Sequence, residues 1–330
     1  MRNIYDTLVG MAYGDSLGMP VELWPRWKAF ETTGKIDRLL PGQAGNLITS
    51  DLQKGEVTDD TLISLILCQQ LLEEGDIIPD HFVNRLLNWV ENNEKSAKLI
   101  GPSTRKAVEQ YHAGLPLDQM GLFGETNGGA MRIAPVGIFF DVREFDTFMS
   151  KVHLACLATH NTSIAISGAA AIAAAISYGV HMGSDINEML DWVRKAATAG
   201  RRFGRDLGYP HIDKRLNLII SLFNRCKDEE TRQEILHKTL GTSVQTIESV
   251  PSSLAAVIFY NGQIREALYF TANLGGDTDT ISAMTGAICG ALHGSHQIPA
   301  EDIELIERVN GIDFGSIADS IIQKLSDTSR

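Results

Sequence analysis

Apolar residues recur at α-helical spacing along most of the chain. Leu62, Leu65 and Ile66 lead into Leu71-Leu72, and Phe82, Leu86, Leu87 and Val90 repeat the pattern. Taken over every such segment, the periodicity predicts roughly a dozen helices. Strict alternation is scarce, and the best β-like run, Ile133 to Phe140, carries Pro135 and Gly137, which sit poorly inside a strand. The expected fold class is therefore all-α.

The segment from Ser163 to Tyr178 combines strong helix formers with very small side chains, so neighbouring helices can approach it from all sides. It is expected to be the central buried helix. The glycine-rich polar stretches at 41–57, 121–129 and 199–210 are too short and too mildly biased to be interdomain linkers. With no internal repeat and no low-complexity tract, one compact domain over residues 1–330 is expected.

Composition narrows the class of protein. A chain of 330 residues with 44% hydrophobic content can fill a sizeable core without staples. Lys plus Arg is 29 against 41 for Asp plus Glu, a net charge of −12, so the mean field repels nucleic acid and a polynucleotide partner is not expected. A small anionic substrate is still compatible, because cations held in a site can reverse the local field. The N-terminus lacks the basic start and apolar stretch of a signal peptide, and apolar residues nowhere run unbroken for the length of a membrane span. Cys68, Cys156, Cys226 and Cys289 are far apart and lie mostly among apolar residues, as buried thiols do. These features lead us to expect a cytoplasmic protein with no membrane partner.

Two acid-and-hydroxyl clusters stand at helix starts: Thr58-Asp59-Asp60-Thr61 and Asp277-Thr278-Asp279-Thr280. Capping alone would account for either one, since Asp and Thr accept from free first-turn amides and carboxylates suit the positive end of the helix dipole. Two clusters together also supply what hard divalent cations need, oxygen ligands on a rigid frame. If they converge, four carboxylates cannot all stay charged without cations between them. A pair of Mg²⁺ or Mn²⁺ ions would neutralise them and could polarise water or hold sugar hydroxyls.

Other segments carry competing readings. Gly14-Asp15-Ser16-Leu17-Gly18 fits a nucleophile elbow and an esterase signature, which makes an esterase the rival enzyme. However, Tyr5, Leu8, Val9 and Ala12 precede it at helical rather than strand spacing, and no histidine has an Asp three residues before it. The turn from Gly124 to Arg132 can offer backbone amides to a phosphate or carbonyl, yet it matches neither the Walker nor the dinucleotide fingerprint. His160 alone reads as a junction residue beside the capping candidates Asn161, Thr162 and Ser163.

Taken in order, Gly14-Asp15 with Gly18 and Glu22, Thr58 to Thr61, Asn127 to Arg132, Thr159-His160 and Gly275 to Thr280 resemble the ADP-ribosylglycohydrolase family over residues 5–295. The resemblance implies an orthogonal helical bundle with a binuclear Mg²⁺ or Mn²⁺ site. Its ligands would be Thr58, Asp59, Asp60, Asp277, Asp279 and Thr280, and Glu22 would match a mobile glutamate that gates the site or reaches a metal. By the same resemblance, Asn127, Gly128 and Gly129 would border a diphosphate, His160 a substrate ribose, and Gly101 the rim. The implied reaction is hydrolysis at the anomeric carbon of a ribose, with Asp59, Asp60 or Glu22 handling the proton.

The substrate would be an ADP-ribosylated side chain or a small ribosyl compound, possible linkages including arginine and serine. Trp24, Trp27 and the segment from Pro25 to Glu56 could narrow the entrance, which would favour a small nucleoside or nucleotide N-glycosidase. A non-catalytic, crystallin-like descendant is a third reading, and the presence of every acidic metal position speaks against it.

Overall fold

In the computed structural model, which describes residues 3–328, 18 α-helices fold without any strand ladder among those residues. Only isolated bridges occur, among them Trp24 with Gly276 and Thr126 with Gln245. The helix number exceeds the sequence expectation because several helices, such as Ser96–Leu99 and Gly128–Met131, are single turns. One turn is too short to display a periodicity. The β-like run is also helical: Ala134–Phe139 carries Pro135 in its first turn, where the missing N–H costs nothing.

Ser163–His181 is the central helix, and every residue from Ser163 to Val180 is buried. Thr162 caps it by accepting from Ala165 N, and the same hydroxyl donates to Gly124 O at 2.6 Å. Among the described residues this is the one helix long and apolar enough to cross a membrane, and it lies wholly inside the protein. Its small side chains admit neighbours at close range. Ser167 donates to Ala197 O at 2.7 Å, on the helix Ile186–Gly200 that follows.

A second close approach positions the chemistry. The first helix, Ile4–Gly18, takes Thr278–His293 as its most extensive partner. Gly10, Gly14 and Gly18 recur every four residues and so share one face. A Cβ at these positions would stand 2.2 Å from Gly286 O, 2.1 Å from Ser282 O and 2.2 Å from Thr278 O. The two backbones therefore touch directly, which only glycine permits. At the end of this crossing the Thr278 hydroxyl donates to Gly18 O at 2.8 Å, which fixes the start of the late helix beside the end of the first. The presumptive esterase elbow is thus a continuous stretch of buried helix.

Candidate active site

Asp15 emerges from the first helix fully buried and organises the turn that begins Asp59–Glu74. Its carboxylate accepts from Thr58 N at 3.0 Å, from Thr61 N at 3.2 Å and from the Thr61 hydroxyl at 2.6 Å. Thr58 is the N-cap, accepting from Asp60 N at 3.3 Å. With the cap filled by Thr58, the side chains of Asp59 and Asp60 are free to point elsewhere. Asp60 Oδ2 accepts from the hydroxyls of Thr58 and Thr280, each at 3.2 Å, and so ties the two helix starts together.

The late helix contributes from the opposite side. Asp277 N donates to Thr242 O at 2.7 Å, and the Thr242 hydroxyl donates to Gly275 O at 2.7 Å, which pins the Gly275-Gly276 turn. Asn127 Nδ2 donates to Asp277 Oδ2 and, at 2.9 Å, to the Ser249 hydroxyl. Glu22 arrives from the short 3₁₀ turn Met19–Val21, and its carbonyl accepts from Asn46 Nδ2 at 2.9 Å. Oxygens of Glu22, Asp277 and Asp279 lie within 4.8 Å of one another.

Glu22, Asp59, Asp60, Asp277, Asp279 and Thr280 therefore line one cleft, together with Gly101, Asn127 and Gly128. Thr58 stands just behind, holding Asp60. Gly129 and His160 are placed differently, packed beneath the turn rather than on its wall. A Cβ at Gly128 would stand 2.8 Å from the His160 ring. That ring bridges the Thr126 hydroxyl at 3.1 Å and the Thr159 hydroxyl at 2.7 Å, so it supports the cleft from behind Thr126 and Gly128. Burial and the charge of Arg132 hold His160 well below the usual imidazole range.

Leu99 and Val244, which no sequence motif marks, complete the cleft together with Pro102, Thr104, Thr126 and Met131. Leu99 ends a four-residue helix and Val244 lies in a loop, and neither residue carries a local signal. Asp15 did carry one, a carboxylate within the apolar sequence of the first helix.

The electrostatics are lopsided. Burial raises every carboxyl of the cluster. Asp15 and Asp277 are pushed up to about 6 against the pull of their hydrogen bonds. Glu22, Asp59, Asp60 and Asp279 are raised further, by burial first and then by the charges of neighbouring carboxylates of the cluster. None of the ion pairs among the described residues reaches Glu22, Asp59, Asp60, Asp277 or Asp279. Arg132 acts on Asp59 through space, but its guanidinium donates to Gly128 O, Ala155 O and the Thr159 hydroxyl. Asp60 Oδ1 is buried with no donor at all. Hard oxygen donors, excess negative charge and an orphaned carboxylate oxygen are the arrangement a divalent cation fits.

A family model described as ADP-ribosylglycohydrolase matches residues 1–329. Among curated proteins the chain is 36% identical to YegU of Escherichia coli K12, covering 97% of this chain and 96% of that protein. It is 27% identical to the ADP-ribosylarginine hydrolase Tri1 of Serratia proteamaculans, over 88% of this chain and 72% of Tri1. Human ADP-ribosylhydrolase ARH3 is 26% identical over 78% of this chain and 76% of its own. A solved structure titled as an ADP-ribosylglycohydrolase-related protein complex superposes with a TM-score of 0.72 at 23% identity, covering 98% of both chains, which is a likeness of fold.

Proposed function

The chain belongs to the ADP-ribosylglycohydrolase family and is a glycosidase-type hydrolase, and we propose that it uses divalent cations to release ADP-ribose from a modified protein side chain or a small ADP-ribosyl compound. The observation that carries this reading is the convergence of two acidic helix starts on one cleft that no ion pair among the described residues reaches. The names of Tri1 and ARH3 support the ADP-ribosyl substrate class.

Thr58, Asp59, Asp60, Asp277, Asp279 and Thr280 would hold two Mg²⁺ or Mn²⁺ ions. When bound, the ions supply positive charge that polarises ribose hydroxyls and water. Around them the chain's own groups do the rest. Asn127 fixes the rotamer of Asp277, and Asp15 fixes the turn of Asp59 and Asp60. Asp59, Asp60 or Glu22, all on the cleft wall, would deliver a proton to the departing group. As that group leaves, positive character grows at the anomeric carbon, and the ionised members of the cluster stabilise it. Gly101, Asn127 and Gly128 form the wall along which the rest of the nucleotide would lie.

The deciding assay is mass-resolved chromatography of products from ADP-ribosylated arginine, ADP-ribosylated serine and a nucleoside panel, with Mg²⁺, Mn²⁺ or EDTA. We expect metal-dependent ADP-ribose release. Release from nucleosides alone would reassign the enzyme as an N-glycosidase of small nucleosides or nucleotides. We also propose a single domain and a cytoplasmic location, supported by one core cluster that runs from Ile4 to Ile321 and by four free cysteines.

A pH dependence follows from the raised carboxyls. A carboxyl whose folded pKa lies above its unfolded value favours folding below the unfolded pKa of about 4. That contribution disappears as pH rises through the folded value, about 6 for Asp15 and Asp277. In EDTA the melting temperature should fall between about pH 4 and pH 7, and saturating Mg²⁺ or Mn²⁺ should remove the fall. Identical melting curves with and without the ion would contradict cation binding at the cluster.

A further inference from the structure

A chain of hydrogen-bonded side chains runs from the core to the rim of the cleft. Arg132, wholly buried, donates through Nη2 to the Thr159 hydroxyl. That hydroxyl also meets His160 Nδ1 at 2.7 Å, and these two are its hydrogen-bond partners among the described residues. On the far side of the ring, Nε2 meets the Thr126 hydroxyl at 3.1 Å, and Thr126 donates to Ser103 Oγ at 2.8 Å. Ser103 is half-buried in the first turn of the helix Pro102–His112, and among the described residues Thr126 is the one partner of its hydroxyl.

The donors and acceptors allow this chain a single direction. A guanidinium can only donate, so the Thr159 oxygen accepts from Arg132. If His160 Nδ1 also carried a proton, the Thr159 hydroxyl would face two donors, and its own proton would be stranded at a residue that is 1% exposed, the costly case of an unmade buried hydrogen bond. Every member is satisfied only when Thr159 donates to a bare Nδ1. The ring then carries its proton on Nε2 and donates to Thr126, which in turn donates to Ser103. Ser103 therefore accepts within the protein, and its own proton is uncommitted. It lines a side pocket of about 210 Å³ that shares Pro102, Thr126 and Val244 with the acidic cleft. Lys106 adds a positive charge to the same wall, whereas the Glu125 carboxylate there is already engaged, accepting from Tyr209 at 2.6 Å and from Gln245 at 3.3 Å.

Resting on the hydrolase reading above, we infer that His160 is a positioning residue which fixes the direction of this chain, so that Ser103 donates its proton to a phosphate oxygen of the bound nucleotide in the side pocket. The ring itself touches no substrate. Two readouts test this. Long-range proton–nitrogen spectra of protein with isotope-labelled histidine, the His160 signal identified by its loss in His160→Gln, should show the proton on Nε2 and a bare Nδ1. Calorimetry with ADP-ribose should show at least tenfold weaker binding in Ser103→Ala, the loss of a hydrogen bond to a charged group, with binding restored in Ser103→Thr. Thr126→Val should weaken binding too, and Ser103→Ala/Thr126→Val should be no weaker than Ser103→Ala alone, because both act through one hydroxyl. A proton on Nδ1, or additive losses in the double variant, would overturn the role of His160. If wild type binds ADP-ribose and cleaves an ADP-ribosyl compound but Ser103→Ala binds as tightly, the role of Ser103 falls alone. If wild type does neither, the hydrolase reading falls and takes this inference with it.

Discussion

Asp60→Asn should cut turnover by at least a thousandfold, about 4 kcal/mol of transition-state stabilisation, without lowering the melting temperature. The substitution is isosteric, and the helix cap belongs to Thr58, which receives Asp60 N through the backbone. What changes is the charge and the orphaned oxygen at the centre of the cluster. A carboxylate that serves only its helix would lose stability and keep activity; one that serves a cation would lose the cation and the reaction. Removing one negative charge from among its neighbours should even stabilise the EDTA-treated protein. Calorimetric titration with Mn²⁺, product chromatography and thermal melting on the same sample separate these outcomes, and full activity in the variant would sink the catalytic assignment.

The largest loss of stability is expected at the backbone contact between the first helix and the late one. A Cβ at Gly286 would stand 1.9 Å from Gly10 O, and neither partner is a flexible side chain that could swing aside. Gly286→Ala must therefore push two helices apart, which costs about 3 kcal/mol, or roughly 4 °C of melting temperature in a chain of this size. Adding Gly10→Ala should cost much less than its single effect, because the helices are then already separated. Gly101→Ala is the control, since nothing lies within 4 Å of its new methyl group. A drop at Gly101 equal to that at Gly286 would mean that the close approach does not set the loss, since Gly→Ala by itself restricts the unfolded chain and favours folding.

These contrasts show where sequence reasoning reaches and where it stops. Helix starts are local: a Thr or Asp before an apolar periodic run announces itself, so Thr58 and Asp277 could be placed as flanking residues from spacing alone. Convergence of the two starts is not local. It depends on how Ile4–Gly18 crosses Thr278–His293, and glycines at every fourth position hint at a shared face without naming its partner. The buried alanine-rich helix was legible because side-chain size and apolarity agree over many residues. Single-turn helices such as Gly128–Met131 were not, and neither was Val244, whose place on the cleft wall is set by its bond from Asn127 N rather than by any property of valine. The layering at His160 also escaped the sequence, since one shift of a buried ring separates wall from support.

The crossing of the first and last parts of the chain has a consequence for biosynthesis. The Thr278 hydroxyl and Gly18 O are 260 residues apart in sequence. At roughly 5–20 residues per second of translation, the first helix waits about 13–50 seconds for the surface that covers its bare glycine face. During that interval Asp15 can already organise Thr58 and Thr61, but half of the acidic cluster has yet to be synthesised. A ribosome stalled short of residue 278 would thus hold a chain with an exposed apolar helix and half a cleft, a natural client for a chaperone, and a split between two co-expressed fragments on either side of that point would regain the cluster only when the pieces meet.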